Sequence, residues 1–282
     1  MPPGKIETEH QNTDMKAIEL EYDIEPKRRN HGAANPHLLP IFTRNTDRYL
    51  EHLRYLSQIR EDFYGIPVLA DQSDPLLPNW ENGFLPALDI AALHAFLRRL
   101  NPRRYFEIGS GNSTKIARRA IRMHGLQTAI TSLDPHPRAE IDQICDRVVR
   151  MRLEDFDSQE FKQLEAGDVL FFDGSHYAHM NSDVVVFFLE VLPILRPGVL
   201  VQIHDICLPC DYYDDWADRC YSEQYLLACA LLYGAERFHI ELPNAFVSSS
   251  SVFARALGEF WDDGPLQGLS QKHGCSFWFR MA

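Results

Sequence analysis

The sequence predicts an α/β protein whose core is a seven-stranded, mostly parallel sheet with helices on both faces. Two observations lead to this prediction. From residue 101 on, short apolar segments alternate with segments of helical period, the pattern of a parallel sheet with crossover helices. Several apolar segments have no polar face, as expected of strands covered on both sides. With 282 residues, 45% of them apolar, the chain can bury one large core of this kind.

The chain divides into three predicted regions. Residues 1–40 are polar and rich in proline, and we interpret them as a flexible N-terminal tail. Residues 41–100 form a predicted helical extension, because apolar residues recur three and four positions apart over residues 45–63 and again over residues 87–100. Residues 101–282 form the predicted α/β domain.

Seven strands and five helices are predicted in that domain. The strands are expected at residues 104–108, 128–133, 147–151, 168–172, 199–204, 238–242 and 275–280. The helices are expected at residues 113–124, 138–145, 158–164, 182–195 and 222–232. The stretch from Phe246 to Phe253 shows no helical period, so we expect the sheet to finish with antiparallel strands.

Charge and hydropathy argue against two kinds of partner. The net charge is −12, from 28 basic and 40 acidic residues, and no basic stripe with interleaved aromatic residues occurs. Because binding to a phosphate backbone requires clustered Lys and Arg, we expect no nucleic-acid partner. The longest apolar run, around residues 184–189, ends at Glu190 and is too short to cross a membrane, so we expect no membrane partner either.

The N-terminus and the cysteines predict a cytoplasmic protein. The first ten residues contain no apolar segment of the kind that a signal peptide requires. Six cysteines occur, and free thiols are the default in a long chain without a secretion signal. Cys207 and Cys210 have the spacing of half a zinc site, but no second CxxC or HxxxH pair follows to complete it.

Polar and charged side chains follow each of the first five predicted strands. Ligands of an open parallel sheet bind at this carboxyl edge, near the switch in strand order. The candidate site residues are, in chain order, Glu107, Gly109, Ser110, Gly111, Asn112, Ser113, Asp134, Glu154, Asp155, Asp173, His176, His204 and Asp205. The acids and histidines that follow the fourth and fifth strands are expected to lie close together at this carboxyl edge.

The segment from Glu107 to Thr114 predicts a glycine turn between the first strand and a helix, which lets a ligand approach the backbone closely. Asp134, after the second strand, suits a ribose diol, which a dinucleotide and S-adenosylmethionine both contain. A dinucleotide fingerprint needs a third glycine where this chain has Thr114. Glu107 would repel a pyrophosphate but suits an ammonium group. The alternative is an ordinary strand–turn–helix with a solvated glutamate.

These segments together resemble the class I S-adenosylmethionine-dependent methyltransferases. The resemblance is carried by residues 107–113, Asp134 and residues 168–176, and residues 195–200 are similar to the segment that leads into the family's fifth strand. It implies the Rossmann-like methyltransferase fold, with the seventh strand antiparallel between the fifth and the sixth. It also implies that residues 101–282 are an S-adenosylmethionine-binding domain.

The same resemblance implies roles for the candidate residues. Glu107 and residues 109–113 would hold the methionine part of the cofactor, and Asp134 would hold the ribose. Glu154 or Asp155 would lie near the adenine. These roles are expectations from the family pattern.

Two acids and two histidines are candidates for the chemistry itself: Asp173, His176, His204 and Asp205. Methylation of a hydroxyl requires loss of its proton, either to a nearby base or with the help of a divalent metal ion. His176 has a suitable intrinsic pKa for the base. The segment from Asp173 to His176 is similar to one in metal-dependent sugar O-methyltransferases of macrolide biosynthesis, whose Asp binds magnesium and whose His is the base.

That second resemblance implies a metal site at Asp173, His204 and Asp205. The family has an acidic pair on the next strand, whereas this chain has His204 and Asp205, and a histidine suits a transition metal better than magnesium. The alternative is a site without metal. In that case Asp173 would orient the cofactor or cap the following turn, and His204 would be a hydrogen-bonded core histidine.

The function predicted from the sequence is transfer of a methyl group from S-adenosylmethionine to a small-molecule acceptor, at a hydroxyl oxygen. The alternatives are an NAD-dependent oxidoreductase and a non-catalytic methyltransferase-like binding domain. Residues 206–221 alternate tyrosine and tryptophan with aspartate. We expect this segment either to form a wall of the acceptor pocket, where aromatic rings could stack on the acceptor, or to be a solvated acidic loop.

Overall fold

The computed structural model describes residues 32–282, and its centre is a single sheet of seven strands. Residues 1–31, most of the predicted tail, lie outside the described residues. The strands are β1 Arg104–Ile108, β2 Ala129–Leu133, β3 Arg147–Val149, β4 Val169–Phe172, β5 Leu200–Ile203, β6 Phe238–Pro243 and β7 Phe277–Met281. Each overlaps a predicted strand, with bounds that differ by up to two residues.

The strand order is β3-β2-β1-β4-β5-β7-β6. Strands β3, β2, β1, β4 and β5 pair in parallel, while β7 is antiparallel to both β5 and β6. The predicted fold is therefore confirmed, including the position of the seventh strand. The order reverses between β1 and β4, so the carboxyl ends of these two strands flank a crevice where ligands bind in sheets of this type.

Eight α-helices accompany the sheet in the part of the chain that the structure describes. They are α1 Leu39–Thr43, α2 Thr46–Gln58, α3 Ala87–Leu100, α4 Asn112–His124, α5 Asp183–Val186, α6 Glu223–Gly234, α7 Asn244–Ser249 and α8 Ala254–Trp261. Helix α4 follows the glycine turn after β1. Helices α2, α3, α4 and α6 agree closely with the sequence prediction.

Two predicted helices on the β2–β4 side of the sheet are wrong. Residues 138–145 contain only a 3₁₀ turn at Asp142–Ile144, and residues 158–164 form the short 3₁₀ segment Ser158–Gln163. Pro135 and Pro137 restrict the backbone before the first of these segments. The second is too short to offset the cost of nucleating an α-helix.

The predicted helix over residues 182–195 is only partly regular. It begins as α5, continues as a π-helix over Phe187–Val191 and ends as a 3₁₀ turn over Leu192–Ile194. Pro193 has no N–H to donate to the preceding turn, which disfavours a regular α-helical end.

The prediction of a helix-free stretch before the last strand is also wrong. Helix α7 covers Phe246, and α8 begins directly after Phe253. Both rings pack on Tyr49 of α2, at centroid distances of 6.4 and 6.0 Å. Tertiary packing of this kind overrides the weak helix propensity of a segment rich in Val, Ser and Phe.

The N-terminal helices and the sheet share one hydrophobic core. Phe42 of α1 packs against Phe277 of β7 at 5.6 Å between ring centroids. Glu241 of β6 is buried and accepts hydrogen bonds from Arg48 of α2 at 3.0 Å and from Arg280 of β7 at 2.8 Å. The division of the chain into tail, extension and domain stays a prediction.

Within residues 32–282, no helix combines the length and the apolar character needed to span a lipid bilayer.

Candidate functional site

The glycine turn after β1 is held tightly against the end of β4. Gly109 has φ +78°, a left-handed conformation that favours glycine. A Cβ atom added there would lie 1.8 Å from the backbone oxygen of Asp173. Only glycine therefore allows the two strand ends to approach this closely.

Glu107 lies beneath the turn and organises it. Its side chain is fully buried and accepts hydrogen bonds from Tyr105 Oη at 2.7 Å and from Thr114 Oγ1. Thr114 Oγ1 also accepts from the backbone N–H of Gly111 at 3.0 Å. Thr114, which stands where a dinucleotide fingerprint has its third glycine, thus links the Glu107 carboxylate to the turn and caps α4.

Burial raises the pKa of Glu107 to about 7, although hydrogen bonds, with Ser113 and Thr114 first, favour the ionised form. Because the folded-state pKa is raised, ionisation costs stability as the pH rises from the unfolded pKa towards 7. We expect the free energy of unfolding of Glu107→Gln, relative to the wild type, to increase by about 2 kcal/mol between about pH 5 and about pH 8. Urea unfolding at both pH values measures this, and an equal difference at both would contradict it.

Asp134, which is predicted to bind the ribose, lines the same cleft as Glu154, one of the two residues predicted to lie near the adenine. A cleft of about 370 Å³ lies between the ends of β1, β2 and β4, and Asp134 and Glu154 both line it. Asp134 accepts hydrogen bonds from the backbone N–H groups of Ser110 and His136, at 2.7 and 2.8 Å. Asp155 does not line this cleft and instead pairs with Arg152 at 2.8 Å.

A second cleft, of about 300 Å³, lies on the other side of the turn. Gly111, Asn112 and Ser113 line it together with five residues that precede α3: Asn79, Glu81, Asn82, Phe84 and Leu85. The two clefts share Ser110, Arg138 and Asp173. All the predicted cofactor residues except Glu107 and Asp155 line one of two adjoining clefts. Glu107 lies beneath the turn instead.

His176 is held in place by a buried carboxylate on α6. Its Nδ1 lies 2.8 Å from Glu223 Oε2, and its Nε2 lies 3.4 Å from Asp173 Oδ1 and 3.6 Å from Asp205 Oδ2. His176 has φ +66°, a costly conformation for a residue other than glycine. Its carbonyl oxygen accepts the N–H groups of Ser222 and Glu223, which helps to fix this backbone conformation.

His204 faces the same acidic pair from the other side. Its Nδ1 lies 3.5 Å from Asp173 Oδ1 and 3.3 Å from Asp205 Oδ1, while its Nε2 lies 3.3 Å from Asp89 Oδ2. The ring is buried, and Cys275 Sγ contacts Nε2 at 3.5 Å. The predicted catalytic and metal residues therefore form one cluster at the ends of β4 and β5.

Burial and neighbouring charges shift the pKa values in this cluster. Burial alone would raise the pKa of Asp173, but His204 and His176 hold it well below the usual range. Burial alone would lower the pKa of His176, but the bonds to Asp173 and Glu223 raise it well above the usual range. Burial raises the pKa of Glu223 to about 7. Each of the two histidines in the cluster thus lies against neighbouring carboxylates that favour its protonated form.

Residues 106–206, from β1 to just beyond β5, match the model of a family described as a methyltransferase domain. We therefore assign a methyltransferase domain to this segment. The matched segment contains the glycine turn, Asp134, the segment from Asp173 to His176, and the pair His204 and Asp205. Together with the strand order, this match confirms the prediction of a class I S-adenosylmethionine-dependent methyltransferase, and nothing supports the oxidoreductase alternative.

Solved methyltransferases are distantly similar to this one, whereas no curated protein matches it. The plantazolicin methyltransferase BpumL, in complex with a pentazolic desmethylPZN analog and SAH, is 14% identical, with 88% of this chain and 91% of that chain covered and a TM-score of 0.39. An O-methyltransferase from Bacillus cereus in complex with SAH is 14% identical, over 82% and 90% of the two chains, with a TM-score of 0.34. A putative O-methyltransferase from Klebsiella pneumoniae is 14% identical, over 89% and 91%, with a TM-score of 0.36.

Two acids that contact the histidine cluster were not predicted from the sequence. Asp89 belongs to the first turn of α3 and Glu223 to the first turn of α6. Each carboxylate contacts one of the two site histidines from the side away from Asp173. No motif marks either acid, since an acidic residue in the first turn of a helix is common for electrostatic reasons alone.

The aromatic segment after β5 covers the histidine side of the site. The ring of Tyr221 packs on that of His176 at 4.6 Å between centroids, and Trp216 packs on Tyr221 at 5.9 Å. Arg219 lies over Trp216 at 4.6 Å. Tyr212 is buried, whereas Tyr213 is partly exposed. The rings of this segment therefore pack on each other and on the site.

Proposed function

We propose that this methyltransferase transfers the methyl group of S-adenosylmethionine to a hydroxyl oxygen of a small-molecule acceptor. The observation that carries the proposal is the position of Asp173, which lines both clefts and contacts His176 and His204. A group held in the clefts would therefore lie next to the histidine cluster. That is the juxtaposition of methyl donor and base that O-methylation requires.

The cofactor would occupy the two adjoining clefts, and Asp134 and Glu154 line the larger one. The carboxylate of Asp134 would accept hydrogen bonds from the ribose hydroxyls and would no longer accept one from the backbone N–H of Ser110. The methionine part would lie along the glycine turn. Glu107 would support the turn from beneath rather than bind the amino group directly, because its side chain lines neither cleft.

His176 is the base in this proposal, and Glu223 orients it. When His176 is neutral with Nδ1–H donating to Glu223, its Nε2 carries no proton and can take the proton of the acceptor hydroxyl. Asp173 and Asp205 lie near Nε2 and stabilise the imidazolium that forms. The methyl group passes from the sulfonium to the acceptor oxygen, and the electron pair of the sulfur–carbon bond stays on sulfur.

For the predicted metal site at Asp173, His204 and Asp205, both carboxylates lie near the Nδ1 of His204, at 3.5 and 3.3 Å. With a proton on Nε2 directed at Asp89, the Nδ1 of His204 faces the same space as the two site carboxylates. A divalent ion bound there would lower the pKa of an acceptor hydroxyl. We propose the ion as an additional requirement, which metal removal by a chelator and restoration with single metals would test.

Calorimetry with S-adenosylmethionine, S-adenosylhomocysteine and NAD tests the cofactor. We expect binding of the first two and none of NAD. Transfer of labelled methyl to a panel of hydroxylated, aminated and thiol-bearing small molecules then tests the acceptor atom. Tight binding of NAD alone, or methylation confined to nitrogen or sulfur, would overturn the proposal.

The structure also bears on the compartment. Cys145, Cys220, Cys229 and Cys275 are free thiols. Free thiols are typical of a reducing compartment. We therefore propose the cytoplasm as the location of the reaction.

A further inference from the structure

Asp89 is a carboxylate from the N-terminal helices that reaches the histidine cluster. It lies in the first turn of α3 and is 1% exposed. Its Oδ1 accepts hydrogen bonds from Asn244 Nδ2 at 2.6 Å and from the N–H of Ser276 at 3.0 Å. The N–H of Cys275 lies 3.1 Å from Oδ1 and 2.9 Å from Oδ2. Asp89 thus ties α3 to the start of α7 and to the segment that leads into β7.

One oxygen of this carboxylate faces the site. Oδ2 lies 3.3 Å from the Nε2 of His204. An ionised carboxylate can only accept hydrogen bonds, and the N–H donors around Asp89 favour the ionised form. A proton on Nε2 of His204 would satisfy this oxygen, whether the ring is neutral or cationic. The other nitrogen, Nδ1, is thereby directed at Asp173 and Asp205, 3.5 and 3.3 Å away.

We propose that Asp89 is a positioning residue for methyl transfer: it holds the Nε2–H of His204 and so fixes the ring with Nδ1 towards Asp173 and Asp205. The role rests on the proposed function of that cluster. It parallels the role of Glu223 behind His176, so each histidine has its own buried carboxylate. Because Asp89 belongs to residues 41–100, the N-terminal helices complete the site rather than only cover the sheet.

Asp89→Asn is the matched substitution. The amide oxygen can take the place of Oδ1, where it still accepts from Asn244 Nδ2 and from the N–H groups of Cys275 and Ser276. The amide nitrogen then takes the place of Oδ2 and donates to Nε2 of His204, which must give up its proton when the ring is neutral. We expect kcat to fall by roughly 10- to 100-fold, the usual effect of removing such an orienting partner, with KM for S-adenosylmethionine unchanged.

The direct readout is ¹⁵N NMR of His204. Nε2 should carry a proton in the wild type and lose it in Asp89→Asn once the ring is neutral. Asp168→Asn is the control, since Asp168 is also buried and also accepts backbone N–H groups, from Arg104 and Glu165, but contacts no histidine. This variant should keep both kcat and the protonated Nε2.

Three results would overturn the proposal: a wild-type Nε2 without a proton, an Asp89→Asn variant with unchanged kcat, or an equal loss of kcat in Asp168→Asn. The wild-type spectrum does not depend on whether the variant folds, so the proposal stays testable if Asp89→Asn does not. A protein that shows the expected spectrum but methylates no acceptor would contradict the proposed function and leave the orientation of His204 intact.

Discussion

Replacement of His176 by asparagine should lower kcat for methyl transfer by roughly 10²- to 10⁴-fold, the usual contribution of a general base. Asparagine cannot accept the acceptor's proton. It does tolerate the left-handed conformation that His176 adopts at φ +66°, so the backbone should keep its shape. Calorimetric affinity for S-adenosylmethionine should stay close to the wild-type value, because His176 lines neither cleft.

The matched control for this variant is His239→Asn. His239 is an exposed histidine on β6, far from the carboxyl ends of β4 and β5. Its replacement should change neither kcat nor the affinity for the cofactor. Wild-type kcat in His176→Asn would remove His176 from the mechanism, and loss of cofactor binding in the same variant would indicate a general collapse of the site.

Replacement of Gly109 by alanine should destabilise the whole protein by at least about 3 kcal/mol and abolish cofactor binding. Two costs add up. The residue must hold φ +78°, and the new methyl group would lie 1.8 Å from the carbonyl oxygen of Asp173, which cannot move without shifting the end of β4. Urea unfolding measures the loss of stability, and calorimetry with S-adenosylmethionine measures the loss of cofactor binding.

Gly111→Ala separates stability from binding. A Cβ atom at Gly111 would meet no protein atom within 4 Å. The fold should therefore keep its stability, while affinity for the cofactor falls because the methyl group would project into the second cleft. Equal destabilisation by both alanines would contradict the close contact between Gly109 and Asp173.

The sequence was sufficient to predict the sheet and to place most of the candidate site residues at one edge of it. Each strand of a parallel sheet leaves a local apolar signal, and the residues after it must lie at the same edge. Asp134, Asp173, His176 and His204 could therefore be assigned to one edge of the predicted sheet without knowledge of the tertiary structure. The short segments after β2 and β3 could not be predicted, because packing decides whether a few residues form a helix.

The sequence by itself determined the methyltransferase fold and the glycine turn, since both depend on residues close together in the chain. Only the tertiary structure decided which groups act on these residues. Glu107 meets Tyr105 and Thr114 below the turn, and His176 and His204 meet Glu223 and Asp89. Asp89 and His204 are more than 100 positions apart in the chain. A side-chain contact across that separation leaves no periodic or motif signal, because it depends on how α3, β5 and β7 pack.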